Sequence, residues 1–238
     1  IDPQSGSEER YHLLGPDHGI WHGYIEGLGV GTHYGFRAQG HWDPDAGLFF
    51  NYNKLLIDPY GRGLAGNVDI CPEVYAHSVD EDLYPVSYPL EPSQSDSAPY
   101  NAHSVVIDTS FRLAPQPKIP LDETVIYELH VKGFTQKMPE VPPNLRGTYA
   151  GLAHPASVRY LKELGVTSVE LLPVHAKSDE PFLVERGLTN YWGYSTLSFF
   201  SPEPSYASAS ARARGPQAVI DEFRGMVSIL HEAGIEVI

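Results

Sequence analysis

From Val125 to Ile238 the apolar pattern switches back and forth between short β-branched runs and helical periods, and that alternation admits few folds. Val125 to Val131 predicts a strand. Ala156 to Leu164 predicts a short helix, with Val158, Leu161 and Leu164 three apart and Gly165 placed to end it. Val166 to Leu172 predicts a second strand, stopped by Pro173. Gln217 to Ala233 predicts a longer helix: Val219, Phe223, Met226, Val227 and Leu230 make one stripe, Pro216 suits the first turn and Gly234 the stop. Ile235 to Ile238 begins a third strand. Strand–helix–strand with short helix-to-strand links implies parallel pairing and right-handed crossovers. The strand-to-helix links are much longer, and the second runs from Pro173 to about Gly215, too long for an inert connection. Loops at the C-terminal ends of parallel strands are where barrels and doubly wound sheets build their sites.

The residues before this region have a different pattern. Tyr11–Leu14 and Ile20–Ile25 flank Gly15–Gly19 and predict a hairpin, and His33–Ala38 predicts another strand, as in a two-sheet sandwich. Pro72 to Pro120 is rich in Pro, Ser and Asp and reads as a wandering connector. Ala114 to Pro120 is stiffened by its prolines. The expected division is therefore 1–109 for the β module and connector, 110–124 for a linker, and 125–238 for the parallel α/β part.

Charge and motif content remove several functions. Lys and Arg total 16 against 30 Asp and Glu, a net charge of −14, which argues against nucleic acid and against an anionic membrane surface. The one cysteine, Cys71, excludes an internal disulfide and suggests a reducing, cytoplasmic setting. Gly27, Gly29 and Gly31 join two antiparallel strands and read as turn residues rather than a nucleotide loop. The eleven histidines include no H-E-x-x-H, and no G-x-S-x-G elbow occurs, so neither a metal site, nor a cofactor, nor a serine nucleophile is expected. Glu128 and Glu170 lie inside predicted strands and are expected to be buried structural carboxylates rather than catalytic acids. His130 and Lys132 are candidates for contacts at the rim of the first strand.

Within the long second link stands Thr189-Asn-Tyr-Trp-Gly-Tyr194. Asn190, Tyr191, Trp192 and Tyr194 would suit a saccharide platform, because sugar C–H faces stack on aromatic planes while amides and hydroxyls bind the edges. They would equally suit a small satellite core holding the loop down.

Several blocks in order carry a resemblance. Val125 to Thr135, Arg146 to Tyr149, Leu161 to Thr167, Glu170 to Val174, Asn190 to Tyr194, Ala218 to Arg224 and His231 to Ile238 resemble the α-amylase superfamily of glycoside hydrolases, and in particular its bacterial glycogen debranching branch of isoamylase type. Gly19 to Tyr24, Gly31 to Arg37 and Asn53 to Tyr60 are similar to the end of the β-sandwich carbohydrate-binding module preceding the barrel in that family. The resemblance implies a partial β-sandwich module followed by the first three strands of a (β/α)8 TIM barrel. It implies a branched α-glucan, glycogen or its limit dextrin, as partner, and retaining hydrolysis of α-1,6 linkages by an aspartate nucleophile, a glutamate acid and a second aspartate. In the family those carboxylates follow the fourth, fifth and seventh strands, so none is expected among these residues. The C-terminal part of the barrel would be a missing partner, and the chain alone is expected to be inactive. Residues 125–238 on their own are expected to aggregate or stay molten, since three strands of eight cannot close a barrel. Tyr194 matches the family's sugar-stacking tyrosine, Asn190 and Trp192 match cleft neighbours, and Trp21 and Trp42 fall where related modules stack a sugar. Alternatives are a non-catalytic glucan-binding protein and a branching or trehalose-forming relative.

Overall fold

A computed structural model describes residues 1–238. The chain divides into two compact units, residues 1–58 with 65–106 and residues 59–64 with 107–238.

The first unit is made of short antiparallel pieces. β1 (Leu14–Asp17) and β2 (Ile20–His22) form a hairpin with Leu14 opposite His22 and Asp17 opposite Ile20. The hairpin falls later than the pattern predicts, because the turn is only His18-Gly19. Both residues have positive φ, 50° and 81°, as a two-residue turn matching the strand twist requires. β3 (His33–Tyr34) stops short of the predicted Ala38, and Phe36 continues as a single bridge to Leu56. β4 (Trp42–Asp43) pairs with β5 (Leu48–Phe49) around a single 3₁₀ turn. β6 is the two-residue strand Leu64–Ala65, of which only Ala65 belongs to this unit, and β7 (His103–Val105) pairs with β3. In this unit only Leu55, Ala102 and Val105 are buried apolar side chains. Two facing sheets sharing an apolar core, as a sandwich requires, are therefore not assembled within it.

Long-range polar bonds hold its irregular backbone instead. The Lys54 ammonium is buried and donates to Glu73 O at 2.7 Å, Ser95 O at 2.8 Å and Ser93 Oγ at 3.1 Å. All three of its donors are satisfied, which is the condition for burying it. Burial pushes its pKa down, while Asp96 and Glu73 oppose that shift. Asn51 Nδ2 donates to Ala76 O and Ser93 O, both at 2.8 Å, and Asn101 Nδ2 to Leu55 O at 2.7 Å. Arg37 is sandwiched between Glu8 and Asp96, with contacts of 2.5 and 2.8 Å.

The second unit carries the expected parallel arrangement. β8 (Ile126–Leu129), β9 (Ser168–Leu171) and β12 (Glu236–Val237) make a parallel sheet of order β12-β9-β8, with Glu128 opposite Glu170 and Glu236 opposite Ser168. Helices α3 (Pro155–Glu163) and α6 (Pro216–Glu232) are the two crossovers, each within a residue or so of its predicted limits. Leu161 and Leu230 are fully buried, with Met226, Val219 and Val227, against Leu129 and Val169 of the sheet. Leu164, in the predicted stripe of α3, is exposed and serves as its C-cap.

The long links hold further elements that the apolar period does not reveal. The first contains α1 (Val131–Thr135) and α2 (Tyr149–Leu152). The second contains β10 (His175–Lys177), α4 (Pro181–Val184), β11 (Thr196–Pro202) and α5 (Ala209–Arg214), with β10 and β11 paired antiparallel. The predicted linker, 110–124, packs on the second unit: Ala114 N donates to Ser228 Oγ at 3.1 Å and Ile119 N to Glu236 Oε1 at 3.3 Å.

The sheet corrects the expectation for the strand carboxylates. Tyr127, Leu129, Val169 and Leu171 face the helices, so alternation places Ile126, Glu128, Glu170 and Ile238 on the opposite face. Glu128 and Glu170 are exposed there, not buried and tied to a lysine.

Candidate functional site

The aromatic turn Asn190–Tyr194 sits over the C-terminal ends of β8 and β9. Two sets of bonds fix it there. The first comes from the end of β8. His130 follows the strand and caps α1: its Nδ1 accepts from Gly133 N at 3.1 Å. The neutral ring therefore carries its proton on Nε2, which donates to Tyr191 O at 2.7 Å. The Tyr191 ring lies on the imidazole, with centroids 4.4 Å apart and planes 8° from parallel. Tyr206 OH lies 3.1 Å from Nε2 and donates to the same carbonyl at 3.2 Å. Burial lowers the His130 pKa, the bond to Tyr191 opposes that, and the Lys132 and Lys177 charges add to the lowering. Burial, then the Glu203 charge, raises the Tyr206 phenol.

The second set comes from within the loop. Asn190 N donates to Asp179 Oδ1 at 2.7 Å, Asn190 Nδ2 to Glu180 Oε1 at 2.9 Å, and Gly193 N to Asn190 Oδ1 at 2.8 Å. Lys177 Nζ stands 3.4 Å from Asp179 Oδ1, and Lys177 N donates to Glu203 Oε2 at 3.0 Å. Gly193 has φ +84°, and a Cβ there would meet Pro173 O at 3.0 Å, so the turn lies directly on the residue that ends the second strand segment.

Two rings are left facing outward. Trp192 is 56% exposed and Tyr194 70% exposed, while the turn beneath them is held by buried groups. Trp192 keeps edge contacts to His130 and Tyr191, at 6.1 and 5.3 Å. Such rings present a flat apolar face and, at Tyr194, a hydroxyl, the combination that binds one side of a pyranose. Asn190 differs from the expectation that it lines a cleft. It is buried at 7% exposure, and both polar atoms of its amide are used inside the loop. His130, expected at the rim, is likewise buried, and Lys132 is exposed on α1.

In the first unit Trp21 is 59% exposed on β2. Trp42 is half-buried: its Nε1 donates to Leu90 O at 2.9 Å and its ring meets Phe49 edge-on at 5.6 Å, so its polar handle is engaged by the chain. Sequence reasoning did not single out Asp179, Glu180 or Tyr206. Only Tyr206 carried a signal, as an aromatic beside Pro204 after a strand.

Comparison with known proteins adds to this geometry. No protein-family model matches the chain. A protein of Mycobacterium tuberculosis named glycogen operon protein GlgX homolog is 45% identical over 237 residues, covering 99% of this chain and 32% of that protein. A glycogen debranching enzyme of Enterobacter sp. (strain 638) is also 45% identical over 237 residues, covering 99% of this chain and 34% of the enzyme. This chain is a relative of the bacterial glycogen debranching enzymes. It spans about a third of the length of these debranching relatives. Among solved structures, the catalytic module of the glycogen-degrading pneumococcal virulence factor SpuA, in complex with an inhibitor, matches with a TM-score of 0.55 and 24% identity over 77% of this chain and 25% of that one. A pullulanase from Anoxybacillus sp. LM18-11 complexed with maltotriose matches with a TM-score of 0.52 and 22% identity over 79% of this chain and 23% of that one. At these identities the likeness concerns the fold, which is that of part of a pullulanase-type multidomain protein.

Proposed function

We propose that these residues form the glucan-holding part of a cytoplasmic glycogen debranching enzyme that hydrolyses α-1,6 branch linkages in glycogen or limit dextrin. On this reading β8, β9 and β12 are the first three strands of a (β/α)8 barrel, preceded by part of a carbohydrate-binding module. The observation that carries it is the pair of exposed rings, Trp192 and Tyr194, fixed over the C-terminal ends of parallel strands. The debranching relatives, each about three times as long, support it. The solved pullulanase bound to maltotriose supports an α-glucan as ligand.

The chemistry of branch cleavage needs a nucleophilic carboxylate and a carboxylic acid about 5 Å apart across the bond. We assign neither role to Glu128 or Glu170 and place the reacting carboxylates outside residues 1–238. The share of the reaction falling to these residues is to hold and orient a glucose unit beside the scissile bond. Asn190 supports the rings from below, and Trp21 offers a separate exposed ring in the first unit. The test is to incubate the full-length gene product with a branched limit dextrin. Release of linear maltooligosaccharides, cut about tenfold in kcat/KM by Tyr194→Ala, supports the reading. New branches or trehalose would point to another reaction of the superfamily. Binding of dextrin with no cleavage would favour a non-catalytic glucan-binding protein.

A further inference from the structure

We propose that Asn190 and Glu180 act together as a positioning pair, whose single hydrogen bond sets how Trp192 and Tyr194 are presented to a glucan, and that Asn190 does not itself touch the sugar. The inference rests on the proposed glucan platform but is tested separately from it. Its basis is how the amide is committed. Nδ2 donates to Glu180 Oε1 and Oδ1 accepts from Gly193 N, so the side chain bridges the start of α4 and the middle of the aromatic turn. The amide is thus spent on two partners that lie ten residues before and three residues after it. Glu180 has little alternative to this bond, since its other oxygen, Oε2, is buried without a partner. A carboxylate in that state gains most from one well-placed donor, because charge-assisted bonds are the stronger kind and an unmet buried acceptor is costly. Asp179, beside it, takes the Asn190 backbone amide and is itself approached by Lys177. Neither the Trp192 nor the Tyr194 side chain takes part in these bonds, and both rings are exposed.

The polarity of the pair gives a direct experiment on the full-length gene product, with maltotetraose as probe. Asn190→Asp sets a carboxylate oxygen against Glu180 Oε1 while keeping an acceptor for Gly193 N. Glu180→Gln retains an acceptor for Asn190. In the double variant the acid and the amide exchange places, so the bond re-forms with its donor on the other side. Asn190→Asp is expected to weaken maltotetraose binding about tenfold and to speed amide exchange at Trp192 and Gly193. Adding Glu180→Gln is expected to restore both to within about threefold of the unsubstituted chain, and to recover the melting temperature lost in Asn190→Asp. A general loss of structure would not be rescued this way, and neither would a direct sugar contact, since the NH2 group at 190 stays absent. An unrescued double variant, or undiminished binding by Asn190→Asp, overturns the inference. Should the unsubstituted chain bind no maltotetraose, the glucan platform is what fails. The exchange data then decide the pair alone: rescue upholds it, and no response to Asn190→Asp overturns it.

Discussion

The two units order their backbones by different means. In the second, sixteen buried apolar residues from sheet and helices form one continuous cluster, and polar side chains are added at helix ends and in the aromatic turn. In the first, three apolar side chains are buried, and Lys54, Asn51, Asn101 and Arg37 reach across some forty or more positions to satisfy carbonyls or carboxylates. Regular strands and helices satisfy their own backbone, which leaves side chains free to pack. Two-residue strands cannot, so side-chain donors must do it. In the second unit the exposed rings of Trp192 and Tyr194 stand outside the buried apolar cluster.

Substitutions sharpen that contrast, and the largest effect belongs to the apolar cluster. Leu230→Ala, at a fully buried position, is expected to cost about 2–5 kcal/mol in denaturant unfolding, with faster amide exchange centred on β9 and β12. Next comes Lys54→Met, which leaves Glu73 O and Ser95 O without their donor. It is expected to cost about 1–3 kcal/mol, with faster exchange confined to residues of the first unit. If Lys54→Met were neutral, the polar account of that unit would be broken.

His130→Ala is expected to cost about 1–3 kcal/mol and to loosen the aromatic turn, since it removes the bond to Tyr191 O and the α1 cap together. The same histidine gives a pH dependence. Its folded pKa lies below the ordinary 6.5, so the folded state binds its proton later than the unfolded state does. Its contribution is therefore complete above about 6.5 and is lost as pH falls from there through the lowered folded value. Unfolding free energies taken across that range should fall with acid in the unsubstituted chain and fall less steeply in His130→Ala, the remaining slope including His33, whose folded pKa is also lowered by burial. The smallest stability effect is expected for Tyr194→Ala, within about 0.5 kcal/mol, because the ring is exposed.

Legibility in the sequence followed the same divide. The helices α3 and α6 and the three parallel strands could be read because stripe, β-branching and punctuation by Gly165, Pro216 and Gly234 agree with one another. The short elements in the links could not, since what fixes them is a cap or a distant partner: His130 for α1, Thr148 for α2, and Ser208 with Glu222 for α5. The early hairpin was misplaced because a His-Gly turn lacks the usual Asn or Asp before its glycine. At the candidate site the aromatic turn was visible as a run of residue types. The direction of Asn190 was not, because an amide can face a sugar or the chain equally well, and only the fold brings Glu180 to it.

The decisive measurement is the affinity of the full-length gene product for maltotetraose, by isothermal titration, with Tyr194→Ala and Trp21→Ala compared in parallel. If the rings over the strand ends hold the glucan, Tyr194→Ala weakens binding about tenfold and Trp21→Ala leaves it nearly unchanged. Loss on Trp21→Ala with full affinity in Tyr194→Ala would move the sugar to the first unit and contradict the assignment.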